Sequence, residues 1–481
     1  MNRPFDLPGY SRVLEPTLRF HPEREADRDV HPLLGLLRFG PFSRSLINAV
    51  IDPIRVATIY PAGFRKRVER LFSELEQHQV PRERKNYLPA FPGFARVFGL
   101  RAIQASDDLQ LELSAAADRE VMDSSRPHVR LAELLTKAVN QLLAFRSEFD
   151  VLLILLPDKW SPAFYGEEDD FDLHDYMKAV NASRGIPTQL VQEASALSYP
   201  CRASVMWRLS IALYCKAGGV PWKLSETDPE SAYIGLSYAL RPDETGKQRF
   251  VTCCSQVFDS DGAGLEFVAY ETDDVNIRVF RENPFLNRSE MRRLMARSLA
   301  LYQRRHGGRS PRRVTVHKTT EFKPEEVDGC FDAWPASEGV ELYQIQQESL
   351  WSGVLIDPPK SKTRGPGVAS AFPCERGTYL QLGAREFLVW TQGNVREALG
   401  GANFYKEGKN IPQPLVLKRF AGHGSWHEQI RGVLGLTKMN WNNDSLYDRL
   451  PVTLSYASTL ARTIKRMPTI HSRPYEFRFF M

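Results

Sequence analysis

The chain has 481 residues, 42% of them hydrophobic and 25% charged, with six cysteines and a formal net charge of only +5. That is globular composition, enough for roughly two to three domains. It excludes a membrane helix (no apolar run nears ~20 residues), a signal peptide (MNRPFDLPGYSR lacks an apolar core) and a disulfide or cysteine–metal scaffold, and so implies a reduced, cytoplasmic protein.

Residues 1–45 are rich in Pro, Arg and Glu with weak periodicity, and read as an extended N-terminal segment ending in LLGLLRFGPFSRS. Residues 46–225 alternate strand and helix patterns. LINAVIDPIRVATIYP carries an apolar strand. FRKRVERLFSELEQHQ sets Phe64, Val68, Leu71, Phe72 and Leu75 at helical spacing. FARVFGLRAI reads as a strand, HVRLAELLTKAVNQLLAFRSEF as an amphipathic helix, and DVLLILLPD as a buried strand. Helix followed by apolar strand is the pattern of a parallel sheet, so a Rossmann-like α/β domain is expected here.

Residues 226–481 open with three strand patterns, SAYIGLSYAL, RFVTCCSQVFDSDG and LEFVAYET. A helix over ENPFLNRSEMRRLMARSLALYQRRHGG follows, closed by Gly307-Gly308, then the strand RRVTVHKT. Meander, helix and strand open an RNase H-like fold. LYQIQQ, YLQLGAREFLVWTQG and PLVLKRF continue the β character, and SYASTLARTIKRM is the last helix. From Ile411 onward, ten Lys/Arg face four Asp/Glu, with Trp426, Trp441, Tyr447 and Tyr456 among them. Cations interleaved with aromatics suit a phosphate backbone with stackable bases.

The densest chemistry lies between Asp170 and Trp222. His174 and Lys178 are i,i+4 and share a helix face. Gln189 follows the turn Gly185-Ile186-Pro187-Thr188, where Thr188 would cap a helix whose free N–H groups attract an anion. Lys216 precedes Gly218-Gly219, where backbone can approach a ligand closely. Such groups converging on a phosphate would give charge-assisted hydrogen bonds, with His174 or Tyr176 stacking on a base.

DLHDYMKAV, PTQL and KAGGVPW resemble the MID domain of Argonautes, in which a His or Tyr, a Lys four residues on, a Gln and a distant Lys hold a guide's 5′ phosphate. The resemblance assigns those roles to His174, Lys178, Gln189 and Lys216. AYIGLSYA, RRVTVHKT and LGLTKMNWNNDSLYDRLPVTLSYASTLAR resemble PIWI domains. The implied layout is a MID domain at 46–225 and a PIWI domain at 226–481. With no room for further domains before MID, the short prokaryotic class is implied.

Cleaving PIWI domains hold two divalent metals on an RNase H-type carboxylate set. The matching positions here are Ser237, Thr319 and Ser458. Hydroxyls do not replace carboxylates around two cations, so the resemblance implies a chain that binds without cutting. The rival reading, a guide-directed nuclease with a non-standard metal site, would draw on Asp259, Asp261, Glu266, Glu271, Asp273 and Asp274. Asp259-Ser260-Asp261-Gly262 and Asp273-Asp274 read more simply as turns.

The resemblance implies further properties. A guide RNA would run from the MID pocket along a MID–PIWI groove, with Lys418, Arg419, Lys438, Arg462, Lys465 and Arg466 contacting its backbone. A single-stranded DNA target would be read by pairing. Magnesium would bridge the guide phosphate, Gln189 and the Met481 carboxylate. The partner would be an APAZ-containing protein carrying a TIR, sirtuin-like NADase or nuclease effector, with defence against plasmids or phage as outcome, and a higher oligomer on target binding. No membrane association is implied.

Overall fold

The computed structural model describes residues 9–46, 49–82, 88–166, 170–225, 228, 230–242, 248–257, 265–271, 277–280, 283–334, 339–357, 367–405, 411–467 and 475–481; side chains from 241 to 267 and from 270 to 283 lie outside the description. The chain forms two compact units. One comprises Arg19–Lys223, Trp441–Asp444 and Thr459–Met481; the other comprises Met1–Leu18, Leu224–Asn440 and Ser445–Ser458. Both ends therefore belong with sequence-distant partners, because their apolar side chains are buried there: Val13 joins a core with Tyr343 and Phe387, and Phe477, Phe480 and Met481 are buried.

The first unit is built on a parallel sheet. Its strands are β1 (Ile54–Tyr60), β2 (Ala102–Gln104), β3 (Gln110–Glu112), β4 (Val151–Leu156) and β5 (Thr188–Gln192). The order is β5-β4-β1-β2, with β3 pairing the C-terminal half of β1. Every residue of VLLILL in β4 is buried, as a strand covered on both faces requires. The helices are α1 (Pro32–Phe39), α2 (Arg65–Glu76), α3 (Pro127–Leu142), α4 (Leu173–Ser183) and α5 (Arg202–Lys216). In α2, Val68, Leu71, Phe72 and Leu75 are the buried apolar side chains, the stripe read from the sequence.

Three local expectations fail. The segment before residue 46 is not merely extended, because α1 forms there, with Gly35 admitting the Phe20 ring where a Cβ would lie 2.0 Å from it. FARVFGLRAI begins as a helical turn, Phe94–Phe98, closed by Gly99 at φ 75 before β2 starts. Phe94, Val97 and Phe98 are all buried, and that i, i+3, i+4 burial overrides their β propensity. Thr188 caps no helix: it opens β5, opposite Leu152 of β4, and its hydroxyl donates to the Ile186 carbonyl.

In the second unit, β6 (Ser231–Pro242), β7 (Gln248–Val257) and β8 (Leu265–Glu271) form the expected antiparallel meander. The strands β9 (Arg313–Lys318) and β10 (Gly339–Gln346) add in parallel, followed by antiparallel β13 (Leu415–Ala421), β12 (Glu386–Val389), β11 (Thr378–Gly383) and the short strand Tyr10–Arg12. Its helices are α6 (Arg288–Arg305), α7 (Pro324–Ala333), α8 (Trp426–Leu436) and the start of α9 (Val452–Ile464). The α6 helix begins later than its pattern suggested: Asn287 caps it by accepting the Glu290 amide at 2.9 Å, and Asn283–Leu286 pairs as a strand with Ile277–Phe280.

Side-chain alternation assigns these helices to opposite faces. Ala232, Ile234, Leu236, Val314, Val316, Val340 and Leu342 pack with Leu294, Met295 and Leu301 of α6 and Cys330 of α7. The intervening residues face α8 and α9: His317 Nδ1 lies 2.9 Å from the Thr453 hydroxyl, and Tyr343 and Ile345 pack with Ile430, Leu434 and Leu454. Gly235 lies directly beneath α9, where a Cβ would fall 1.9 Å from the Thr453 carbonyl oxygen. Among the described residues, no helix is long and apolar enough to cross a membrane, and Cys201, Cys215, Cys330 and Cys374 are free thiols.

Candidate functional site

Two lysines of the first unit are enclosed together. Lys178 lies on α4, whose N-terminus is fixed by the Asp172 carboxylate accepting the Asp175 amide at 3.1 Å. Lys216 is the last residue of α5. Both helices pack on the turn Phe477–Phe479. Lys178 is 4% exposed and its Nζ donates to the Phe480 carbonyl at 2.9 Å; Lys216 is 1% exposed and donates to the Met481 main-chain oxygen.

Among the described residues, no side-chain carboxylate pairs with either ammonium. Burial pushes the Lys178 pKa down to about 8, opposed by Asp175 and reinforced by Arg462. Burial also pushes the Lys216 pKa well below its ordinary value, and the Lys178 charge adds to it. Two like charges held dry and side by side are costly unless an anion joins them.

The other two expected ligands are placed differently. His174, one turn before Lys178, keeps half of its side chain exposed, with Nδ1 3.5 Å from Asp175. The protein around its ring lowers the imidazole pKa, Lys178 lowers it further, and Asp175 opposes both. His174 also lines an open pocket with Tyr165, Asp172, Leu190, Gln192 and Ser195. Gln189 projects from β5, and its amide donates to the adjacent Leu190 carbonyl at 2.9 Å. Asn181 escaped the sequence reading: it follows Lys178 by three residues, and its amide is fully buried without a partner among the described residues. Gly219 makes room for Tyr214, whose ring a Cβ would meet at 2.3 Å, so that glycine serves packing.

The expected metal ligands, Gln189 and Met481, do not make a cation site by themselves. The Met481 oxygen already accepts from Lys216, and two ammonium groups repel a third positive charge. The ligand atoms of Asp172, His174 and Asp175 do lie within 4.8 Å of one another, close enough to hold a metal ion. Part of that group is committed elsewhere: Asp172 caps α4, and Asp175 pairs with Arg462 at 3.1 Å.

Of the cations expected along a nucleic-acid backbone, Lys418 is exposed on β13. Arg419 is turned inward, stacked 4.1 Å over Trp426 and donating to the Tyr343 hydroxyl. Lys438 leaves no surface for a phosphate: its side chain is 0% exposed, bonded to Glu15 at 2.9 Å and to the Pro16 carbonyl at 2.7 Å. Arg462 and Lys465 pair with Asp175 and Asp170, and Arg466 donates to the Asp170 carbonyl.

The three hydroxyl positions belong to the second unit. The last register pair between β6 and β9 is Leu236↔Lys318, and Ser237 and Thr319 each follow that pair by one residue. Alternation turns Ser237, like Gly235, toward the α9 face, and Ser458 lies on α9 itself. Asp259, Asp261, Asp273 and Asp274 lie outside the described residues; Glu266 and Glu271 lie on β8, their side chains outside the description. Lys318 points to the opposite face, in a buried 2.7 Å pair with Glu326.

No protein-family model matches the chain, and no curated protein matches it in sequence. Solved structures do. Clostridium butyricum Argonaute, bound to a guide DNA with a 5′ deoxycytidine and a 19-mer target DNA, superposes with a TM-score of 0.65 at 15% identity, covering 99% of this chain and 55% of its own. The fold is that of the Argonaute proteins. Drosophila Piwi matches with a TM-score of 0.61 at 14% identity over 98% of this chain and 56% of its own. Aquifex aeolicus Argonaute matches with a TM-score of 0.58 at 14% identity, over 98% and 57%. The chain thus spans about half the length of these Argonaute structures. At such identities the likeness is one of fold.

Proposed function

We propose that the chain holds the 5′-phosphorylated end of a guide strand in the first unit and recognises a complementary target by base pairing, without cutting it. The observation that carries this reading is the enclosed pair Lys178 and Lys216, two ammonium groups facing consecutive oxygens of Phe480 and Met481. A terminal phosphate carries about two negative charges and three acceptor oxygens, which offsets what burial of the two lysines costs. His174, one helical turn from Lys178, would lie beside the first nucleotide, and Gln189 would approach from β5. In this reading the lysines supply the positive charge that a bridging magnesium ion would otherwise bring.

The non-cleaving part rests on hydroxyls at Ser237, Thr319 and Ser458 where a two-metal site needs carboxylates. The guide is RNA and the target single-stranded DNA, and the chain acts beside an APAZ-containing effector protein in prokaryotic defence; these statements extend the family resemblance. The test is competition between 5′-phosphorylated and 5′-hydroxyl strands of one sequence. The phosphorylated strand should bind at least about tenfold tighter, as one charge-assisted bond implies. Equal affinity would remove the reading.

A further inference from the structure

We infer that the second unit carries a pocket for a guanine base, set between the first residues of β6 and β9 and the helix α8. The cavity measures ≈ 190 Å³, and all of its lining residues belong to that unit. Drug-sized ligands fill roughly 300–1,000 Å³, so this space suits a single base.

Side-chain alternation opens the cavity. Ala232 and Ile234 of β6, with Val314 and Val316 of β9, pack toward α6, so Ser231, Tyr233, Arg313 and Thr315 face α8. Two glycines, poor helix formers, stand in α8 on that side. A Cβ on Gly432 would lie 2.7 Å from the Tyr233 hydroxyl oxygen, and one on Gly435 would lie 3.0 Å from the Leu224 side chain. The helix can therefore approach both residues. Leu224 and Leu436, both buried, supply apolar wall.

The polar groups select the occupant. Two acids, Asp228 and Glu428, and two arginines, Arg313 and Arg431, line the cavity, so a neutral ligand matches it better than a phosphate or a metal ion. The two carboxylate oxygens of Asp228 accept from the Glu230 amide and the Ser231 hydroxyl, both at 3.0 Å, and each keeps a further lone pair. The Gln429 side-chain oxygen accepts from the Thr315 hydroxyl at 3.4 Å, which leaves the amide N–H groups to donate. Arg313 pairs with Glu428 at 3.3 Å through one nitrogen, and its guanidinium carries further donors. The Tyr233 hydroxyl has no hydrogen-bond partner among the described residues. Burial raises its pKa to about 12, with Asp228 adding and Arg313 opposing, so it serves as a neutral phenol.

A carboxylate beside amide and guanidinium donors is the complement of guanine. The base donates from N1 and its N2 amino group and accepts at O6 and N7. Adenine turns a lone pair at N1 toward the same carboxylate. The Tyr233 ring adds aromatic surface for the base. Ser237 follows Tyr233 by four residues, roughly 13 Å along β6. The enclosed lysines belong to the other unit, so the inference does not rest on the terminal-phosphate reading.

The first arm of the experiment is calorimetric titration of the full chain with guanosine, which has no phosphate. The second compares a 5′-hydroxyl oligothymidylate carrying one guanine with the all-thymine strand. Binding of guanosine assigns a free nucleoside, and a guanine effect confined to the strand assigns an unpaired base; either supports the pocket. Guanine should exceed adenine by at least about tenfold, and Asp228→Asn should remove that preference. Tyr233→Phe, which keeps the ring, should weaken guanine binding about two- to tenfold, so misfolding of one variant leaves the other as the test. Lys178→Met should leave guanosine affinity unchanged, and both pocket variants should keep the preference for a 5′-phosphorylated strand. No saturation by guanosine up to about 1 mM, together with no guanine effect in the strand, would overturn the inference. Equal affinity for adenosine, or wild-type guanine binding in both variants, would overturn it as well.

Discussion

Replacing Lys178 by Met should move stability and binding in opposite directions. Burial lowers its pKa from 10.5 to about 8. At about 1.4 kcal/mol per pH unit, that displacement corresponds to roughly 3 kcal/mol of penalty carried by the folded, unliganded protein. Met fills a similar volume without a charge, but leaves the Phe480 carbonyl without its donor, which returns about 1 kcal/mol. The net expectation is a gain of about 2 kcal/mol at pH 7.

The sign follows from proton counts. Between pH 8 and 10.5 the unfolded lysine is protonated and the folded one is not, so wild-type stability rises across that window. The variant's advantage is therefore full below pH 8 and fades above it. Binding of a 5′-phosphorylated strand should weaken by about 10- to 150-fold, the 1.5–3 kcal/mol of one charge-assisted bond. Thermal melts at pH 7 and pH 10, with titrations against phosphorylated and hydroxyl-ended strands, read both effects. A variant that melts no higher at pH 7 and keeps its phosphate preference would refute the reasoning.

Gly235→Ala should destabilise the second unit by several kcal/mol, because its Cβ would fall 1.9 Å from the Thr453 backbone; a melt within about 1 °C of wild type would contradict that placement. Lys438→Met should cost about 3–5 kcal/mol by leaving Glu15 and Arg376 with an incomplete buried charge set, and denaturant titration measures it; a fully stable variant that loses only salt-sensitive nucleic-acid binding would restore Lys438 to the backbone contacts. The loaded protein with complementary target and Mg²⁺ or Mn²⁺ should yield no site-specific product on a denaturing gel. A defined cut would point to the acids near β7 and β8 as an alternative metal site.

Long, regular patterns were legible in the sequence. VLLILL had to be a strand covered on both faces, and the apolar spacing of α2 left one orientation open. What failed depended on contacts made later in the chain. Thr188 looked like a helix cap because the turn before it is local, whereas its strand state is set by pairing with Leu152. Lys438 looked like a surface cation because nothing nearby in sequence announces Glu15, 423 positions away, with which it pairs. His174 and Lys178 were readable from one helical turn, but the buried Asn181 amide was not, since asparagine is ordinarily a surface residue.

The grouping of residues 459–481 with the unit made first constrains how that unit assembles during synthesis. Residues 459–481 complete the unit that otherwise ends at Lys223. While a ribosome is still making the intervening stretch, Lys178 and Lys216 have no carbonyls from Phe480 and Met481 to meet, so the anchorage is finished only once residues 475–481 have been made. The lysine chamber is thus the last part of the first-made unit to close, and a nascent chain halted after residue 458 would present both ammonium groups uncovered.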